Sequence, residues 1–382
     1  MQKRKRYIAI FSVTNCICND QRVKKMASVA SSAGFEVIVI GRYSGDCCKS
    51  TSLPFRTARF RMLFKRGFLF YAFFNIRLFI ELIFRKGSIL VANDLDTLLP
   101  NFLVSKFKRL PLIYDSHEYF TGVPELEGRP VVKKVWKTIE KSVFPKLRNV
   151  ITVSDGIGLL YKDEYGITPV IVRNCSPSIA IENKLSREEL GVPENDLLLV
   201  IQGTGINIHR GAEELVSSLE FIEGATLLVI GGGDVIDRLR EIVMVKNLSG
   251  KVKFIPKMSW EEMMRYTSAA DIGFTLDRST NINYLYSLPN KLFDYISAGI
   301  AIVASDLPEV SNLVQKYKCG IILTEVTSSG IAKAVGTLRE NRELLGNCKR
   351  NSRSASDEIN WEAESDKAMN IYKSLYKKLD TN

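Results

Sequence analysis

Short runs of Val, Ile and Leu alternate with helix-period patterns along almost the whole chain. Strands are predicted at 7–13 (YIAIFSV), 36–41 (EVIVIG), 89–92 (ILVA), 112–115 (LIYD), 150–154 (VITVS) and 170–174 (VIVRN). A second set falls at 197–203 (LLLVIQG), 226–231 (TLLVIG), 252–255 (VKFI), 271–275 (DIGFT), 300–305 (IAIVAS) and 320–323 (GIIL). Helix patterns cover 20–33, 130–143, 211–222, 233–246, 259–269, 289–298 and 359–380. Continuous apolar strands separated by helices mean parallel sheet covered on both faces. Two such sets predict two doubly wound, Rossmann-like α/β domains.

The polar stretch 174–196 holds two prolines and no strand pattern, so the domain break is expected there. The expected domains are 1–175 and 176–358, followed by a C-terminal helix, 359–382, packing back on the first domain. Ligands of doubly wound sheets bind at the carboxyl ends of the strands, so the default site is the cleft that the two domains face. Residues 68–84 are the most hydrophobic stretch. Arg77, Glu81 and Arg85 recur every four residues through it, which predicts an amphipathic helix with a narrow polar stripe. The basic head and short apolar run at the start lack a cleavage site and read as a first buried strand.

Charge changes this picture. The net charge is +11, and residues 1–86 alone carry 17 Lys and Arg against 4 Asp and Glu. An anionic partner of the first domain is implied, and no nucleic-acid motif is present. Phe60, Phe64, Phe68 and Phe70 interleave with Arg59, Arg61, Lys65 and Arg66, a mixture suited to an anionic leaflet. The alternative is that these aromatics pack between the helix that follows and the first sheet. The seven cysteines form no even framework and read as reduced thiols. With two histidines in the chain, a Cys/His metal site is not expected.

No G-x-G-x-x-G follows the first strand, and no P-loop occurs. Glycines cluster instead in QGTGINIHRG (202–211) and IGGGD (230–234), each just after a strand. Such loops either turn the chain or bring backbone amides to a phosphate. Arg210 adds positive charge at a helix entrance, unless it is simply a solvated helix-end arginine. The stretch YSLPNKLFDYISAG (286–299) starts a helix at Pro289. Free amides of Asn290, Lys291 and Leu292 there, together with Arg210, are expected to share a diphosphate. Asp294, one turn in, is expected to accept from neighbouring hydroxyls such as those of a ribose.

YDSHEYF (114–120), QGTGINIHRGAEE (202–214), LLVIGGGD (227–234) and SLPNKLFDYISAGIAIVASDLPE (287–309) together resemble the glycosyltransferase family-four enzymes, especially bacterial surface-polysaccharide transferases. The resemblance runs from about residue 7 to the last helix. It implies the GT-B fold, with residues 1–175 binding the acceptor and 176–358 the nucleotide sugar, and a retaining, metal-independent transfer of a hexosyl or related sugar from a nucleotide-diphosphate sugar to a glycan or lipid-linked acceptor, without cofactor. The enzyme would be cytoplasmic, attached peripherally to the inner face of the membrane. The family's two-acid motif falls on Tyr286 and Asp294, so the donor-sugar acid is replaced by Tyr286 while the ribose carboxylate is kept. Its basic diphosphate pair falls on Thr204 and Arg210, and we assign Lys291 as the second charge. Gly205 joins the diphosphate group, and Gly232, Gly233 and Lys257 the nucleotide loop. His117 matches the histidine that approaches the donor sugar, the alternative being a satisfied core histidine. Two rivals stay open: a nucleotide-sugar 2-epimerase, and a catalytically silent nucleotide-sugar-binding protein.

Overall fold

The computed structural model describes residues 6–18, 20–43, 53–178 and 184–381. The chain divides into two units, residues 1–173 with 364–382, and residues 174–363.

Unit 1 holds β1 (Ile8–Ser12), β2 (Glu36–Arg42), β3 (Arg56–Phe60), β4 (Ile89–Asn93), β5 (Leu112–Ser116), β6 (Asn149–Thr152) and β7 (Val170–Ile171). They form one seven-stranded sheet in the order β3-β2-β1-β4-β5-β6-β7, every neighbouring pair parallel. Its helices are α1 (Gln21–Ser32), α2 (Gly67–Phe84), α3 (Leu95–Lys108), α4 (Pro130–Val143) and α5 (Asp155–Tyr165). Unit 2 holds β8 (Leu197–Gly203), β9 (Ala225–Gly231), β10 (Val252–Ile255), β11 (Ile272–Thr275), β12 (Ala301–Ser305) and β13 (Gly320–Leu323). They form a six-stranded parallel sheet, β10-β9-β8-β11-β12-β13. Its helices are α6 (Ala212–Ser218), α7 (Ile236–Val245), α8 (Trp260–Thr267), α9 (Ile282–Leu285), α10 (Asn290–Ala298), α11 (Pro308–Tyr317), α12 (Ser328–Glu340) and α13 (Arg342–Glu358). The last helix, α14 (Trp361–Asp380), lies with unit 1 from Glu364 on.

Both sheets are doubly wound, as the apolar runs required. In unit 2, Leu199, Leu227 and Phe274 face one core, while Val200, Leu228 and Ile302 face the other. Alternate residues thus enter opposite cores, and with both faces buried no polar alternation is left in the sequence. In unit 1, Tyr372 and Tyr376 of α14 pack on Phe35, and the Tyr7 hydroxyl donates to the Leu379 carbonyl at 2.8 Å.

Two expectations change. Phe60 and Phe70 are buried against Phe74, so for these two the packing alternative holds, while Phe68 is exposed. Exposed Arg77 with half-buried Glu81 and Arg85, the polar stripe predicted for this segment, line a recess against β3. Cys16 is disulfide-bonded rather than a reduced thiol.

Candidate functional site

In each sheet the strand order reverses once, beside β1 and β4 in unit 1 and beside β8 and β11 in unit 2. Loops leaving neighbouring strands part there and open a crevice at the carboxyl ends.

In unit 2 two loops mesh after β8 and β9. The Gly232 amide donates to the Gly203 carbonyl and the Ile206 amide to the Gly232 carbonyl, both at 3.0 Å. The Ile208 amide donates to Asp234 Oδ1 at 3.0 Å. A Cβ on Gly231 or Gly233 would sit 2.0 Å from the carbonyl oxygen of Gly203 or Ile206. These glycines therefore serve close backbone approach, and the Gly232 amide points to the neighbouring loop. Thr204 is exposed and Gly205 half-buried in this mesh. Lys257 is exposed beyond the end of the edge strand β10, two strands away from the reversal.

The same loop is tied to the end of β11. The Arg278 amide donates to the His209 carbonyl at 3.0 Å, and Gly211, at φ 70°, would push a Cβ to 2.4 Å from Leu276 Cβ. Arg210 is thereby brought to Asp277, with Nε 3.5 Å from Oδ1. Its guanidinium lies over the Tyr284 ring at 5.1 Å, and Nη2 donates to the Tyr284 hydroxyl at 3.4 Å. Asp277 is 2% exposed, and neither carboxylate oxygen has a hydrogen-bond partner among the described residues. Burial lowers the pKa of the Lys291 ammonium, with Asp277 opposing and Arg210 adding to the shift. A buried carboxylate beside Arg210 and in the field of Lys291, with both oxygens unfilled, has the character of a candidate site residue. Sequence reasoning missed Asp277. Its one signal was an acid just past the end of the strand beside the reversal.

At α10, Pro289 stands at the N-cap and the helix begins at Asn290. The Leu292 amide donates to the Pro289 carbonyl at 3.0 Å, so it is not free for a diphosphate as expected. Among the described residues no partner is found for the amides of Asn290 and Lys291. Asp294 is buried and held internally. Its Oδ1 accepts from Ser176 Oγ at 2.6 Å and Trp260 Nε1 at 2.8 Å, and its Oδ2 from Gln202 Nε2 at 3.0 Å. Tyr286 follows α9 and is half-buried.

In unit 1, His117 follows β5. Its Nδ1 lies 3.2 Å from Asp94 Oδ2 and its Nε2 3.5 Å from Asp115 Oδ2, while its amide donates to Asp94 Oδ1 at 2.8 Å. Burial works against charge on the imidazole, but Asp94 and Asp115 outweigh it and raise the pKa to about 10. Asp115 is gripped in turn by Arg22, whose Nη2 and Nε donate at 2.7 and 3.2 Å. Asp94 holds a positive φ of 59°, a costly conformation for a non-glycine residue that concentrates at functional sites. Asp96, bonded to Thr14, is pushed up to about 7 by burial. Asp94 and Asp96 just past β4 and Thr14 just past β1 put an acidic group at this reversal, and the sequence reading had not singled it out. Among the described residues no group of three or more His, Cys, Asp or Glu could hold a metal ion.

Residues 183–355 match the family of group 1 glycosyl transferases. No curated protein matches the sequence. Among solved structures, sucrose-phosphate synthase from Thermosynechococcus elongatus superposes with a TM-score of 0.78 at 16% identity, over 98% of this chain and 100% of that one. HepE of Anabaena in complex with UDP-glucose gives 0.73 at 15% identity, over 98% and 100%. WaaG, a glycosyltransferase involved in lipopolysaccharide biosynthesis, gives 0.69 at 15% identity, over 95% and 99%. At such identities the likeness carries the fold alone. The two doubly wound units have the GT-B fold, and with the domain match over residues 183–355 they support a GT-B glycosyltransferase.

Proposed function

We propose that the protein is a retaining glycosyltransferase that moves a hexosyl or related sugar from a nucleotide-diphosphate sugar to a glycan or lipid-linked acceptor in surface-polysaccharide synthesis. The observation that carries this reading is the group of half-buried Arg210 with buried Asp277 and Lys291 at the reversal in unit 2, inside the matched domain. Cleaving the sugar–phosphate bond gathers negative charge on the leaving diphosphate and positive charge on the anomeric carbon. Arg210, Lys291 and the amides of Asn290 and Lys291 hold the first, with Gly205 lining the approach. Such charges are set in place beforehand and need no reorganisation at the moment of cleavage. Asp277 offsets the repulsion between Arg210 and Lys291 and offers two acceptors to donor hydroxyls. Asp294 takes the ribose with its carboxylate already oriented by Ser176, Trp260 and Gln202, and Tyr286 meets the donor sugar through its hydroxyl.

His117 acts at the donor sugar by position and charge. As an imidazolium pinned by two carboxylates it is a poor acceptor of a further proton, so the leaving phosphate takes the acceptor's proton on the face it vacates. Neither cofactor nor metal enters this scheme, which belongs to a cytoplasmic enzyme.

The test is a panel of nucleotide sugars, with and without glycan acceptors, read as nucleoside diphosphate released and product anomer by NMR. The expected result is acceptor-dependent release, retained configuration and full activity in EDTA. Arg210→Met and Lys291→Met should each lower turnover by roughly 10²–10³-fold, as loss of one charge-stabilising donor does elsewhere. Binding of a nucleotide sugar without turnover, or epimerised sugar without acceptor product, would select one of the rivals. Neither binding nor release across the panel would overturn the reading.

A further inference from the structure

The reversal in unit 1 holds a buried carboxylate that the proposed transfer does not use. Asp96 stands in the first turn of α3, just past β4, and is 8% exposed. The Thr14 hydroxyl donates to its Oδ2, and Asn75 Nδ2 of α2 donates to its backbone carbonyl at 2.9 Å. Its other oxygen, Oδ1, is buried with no hydrogen-bond partner among the described residues. A second buried acceptor, Asn93 Oδ1 at the end of β4, is likewise unfilled, while Asn93 Nδ2 donates to the Ser12 carbonyl of β1 at 2.9 Å. A buried acceptor left empty costs free energy until a donor reaches it. Two of them at one strand reversal point to a ligand that brings donors.

The surrounding charge says which donors fit. Burial first, and then Glu118 and Asp20, push the Asp96 carboxyl up to about 7 against the Thr14 hydrogen bond and His117. Burial, Glu118 and Asp96 likewise raise Asp94 against His117. Arg22 is already taken by Asp115. Tyr71 of α2 adds an aromatic wall. It is half-buried, its ring stands edge-on to Trp136 at 5.3 Å, and burial, Asp96 and Glu125 raise its pKa, with Arg42 opposing. Carboxylates therefore outnumber the cations His117 and Arg42 here. A further anion would be repelled. A hydroxyl fills the empty acceptors, and an ammonium also relieves the repulsion and suits the aromatic ring.

We infer that Asp96 binds a hydroxyl or amine of the acceptor sugar, and that the crevice at the unit 1 reversal selects a neutral or amino sugar and rejects an acidic one. The rejection comes from like charge, not from shape. Asp96 turns to Thr14 on the β1 side of β4, whereas His117, assigned to the donor sugar, comes from β5 on the other side. The inference rests on the transferase reading for calling this sugar the acceptor; the binding itself belongs to unit 1.

The experiment titrates the full-length protein, without donor, with methyl glycosides followed by saturation-transfer NMR. Neutral, 2-amino and uronic-acid forms are compared in the gluco, galacto and manno series, so that charge is varied apart from ring stereochemistry. The amino sugar should bind at least as tightly as the neutral one, and the uronate about tenfold more weakly or worse. Asp96→Asn keeps the side-chain volume and the Thr14 contact. It should lower amino-sugar affinity by about tenfold, as loss of a charged hydrogen-bond partner does, and improve uronate binding, so that the selectivity narrows. In transfer assays the same variant should raise the acceptor KM and leave the nucleotide-sugar KM unchanged, a split that a merely structural role would not give. Should Asp96→Asn fail to fold, the order of the three sugars on the wild type carries the test. That order without transfer from any nucleotide sugar would uphold the sugar subsite and count against the transferase reading alone. Equal binding of the uronate, no sugar bound in any series, or an unchanged order in Asp96→Asn would overturn the inference. Displacement of the sugar by UDP-glucose or GDP-mannose, but not by UDP or GDP, would make this the donor's place and overturn the acceptor assignment.

Discussion

Asp277 and Asp294 are both buried carboxylates of unit 2, yet their surroundings differ in kind. Asp294 has three protein donors within 3.0 Å, whereas Asp277 has cations nearby and no hydrogen bond. Asp277→Asn should therefore weaken nucleotide-sugar binding by about 1–3 kcal/mol, the scale of a hydrogen bond to a charged group, and cost less stability than Asp294→Ala, because it removes a charge but leaves no protein donor without its acceptor. Asp294→Ala should lower both stability and nucleotide affinity, because it strips partners from Ser176, Trp260 and Gln202 as well. Calorimetric titration with denaturant melts of both variants separates the two roles, and a matched pair of outcomes would contradict it. His117 gives a pH prediction. Its pKa rises from 6.5 to about 10 on folding, so the native state holds the proton more tightly than the unfolded chain. The stability it contributes is complete below pH 6.5 and is lost as pH rises toward about 10. Denaturation of wild type and His117→Gln across that range should show the wild type losing its advantage, and parallel profiles would exclude the charged imidazole.

At the scale of elements, the glycine loops show why spacing alone misleads. Gly231 and Gly233 are required because two backbones meet there, while Gly232 has open space around its missing Cβ. Gly233→Ala should cost roughly 1–3 kcal/mol, as overpacking does, and loosen the loop that carries Arg210, so nucleotide affinity should fall with it. Gly232→Ala should be neutral within about 0.5 kcal/mol, as open surface changes are. Thermal melts of the pair decide between a packing role and an amide cradle, since a cradle would make Gly232 the sensitive position. Several elements escaped the sequence reading for local reasons. The edge strand β3 reads Arg-Thr-Ala-Arg-Phe, with no apolar run to mark it. Helix α3 carries Pro100 inside it, and α5 has two glycines in its first turns.

Across the whole molecule, each unit has its own sheet and core, and unit 1 is completed by the far end of the chain. Tyr372 of α14 is fully buried beside Phe11 and Phe35. Tyr372→Ala should cost unit 1 about 3–5 kcal/mol, the range for truncating a large buried ring. Its hydroxyl is buried without a hydrogen-bond partner, so Tyr372→Phe should be neutral or slightly stabilising. Denaturant unfolding followed separately for the two units checks this, since the loss should fall on unit 1 and leave the unfolding of unit 2 unchanged.

By itself the sequence determined the architecture. Buried parallel strands need unbroken Val, Ile and Leu runs, and such runs are local and visible. It also marked Arg210 and Lys291 as candidates, because each stands at a helix start where local chemistry shows, while His117 was implied by the family resemblance. The tertiary structure alone decided what those residues meet. Asp277 becomes a partner of Arg210 only when β8 and β11 lie side by side, about 70 residues apart in the chain. Asp94, Asp96 and Thr14 are gathered at one reversal by the strand order β1-β4. Arg77, Glu81 and Arg85 line a recess only when α2 packs against the edge strand β3. Local propensity is written residue by residue, whereas a charged or unsatisfied group acquires its meaning from neighbours that only the fold supplies.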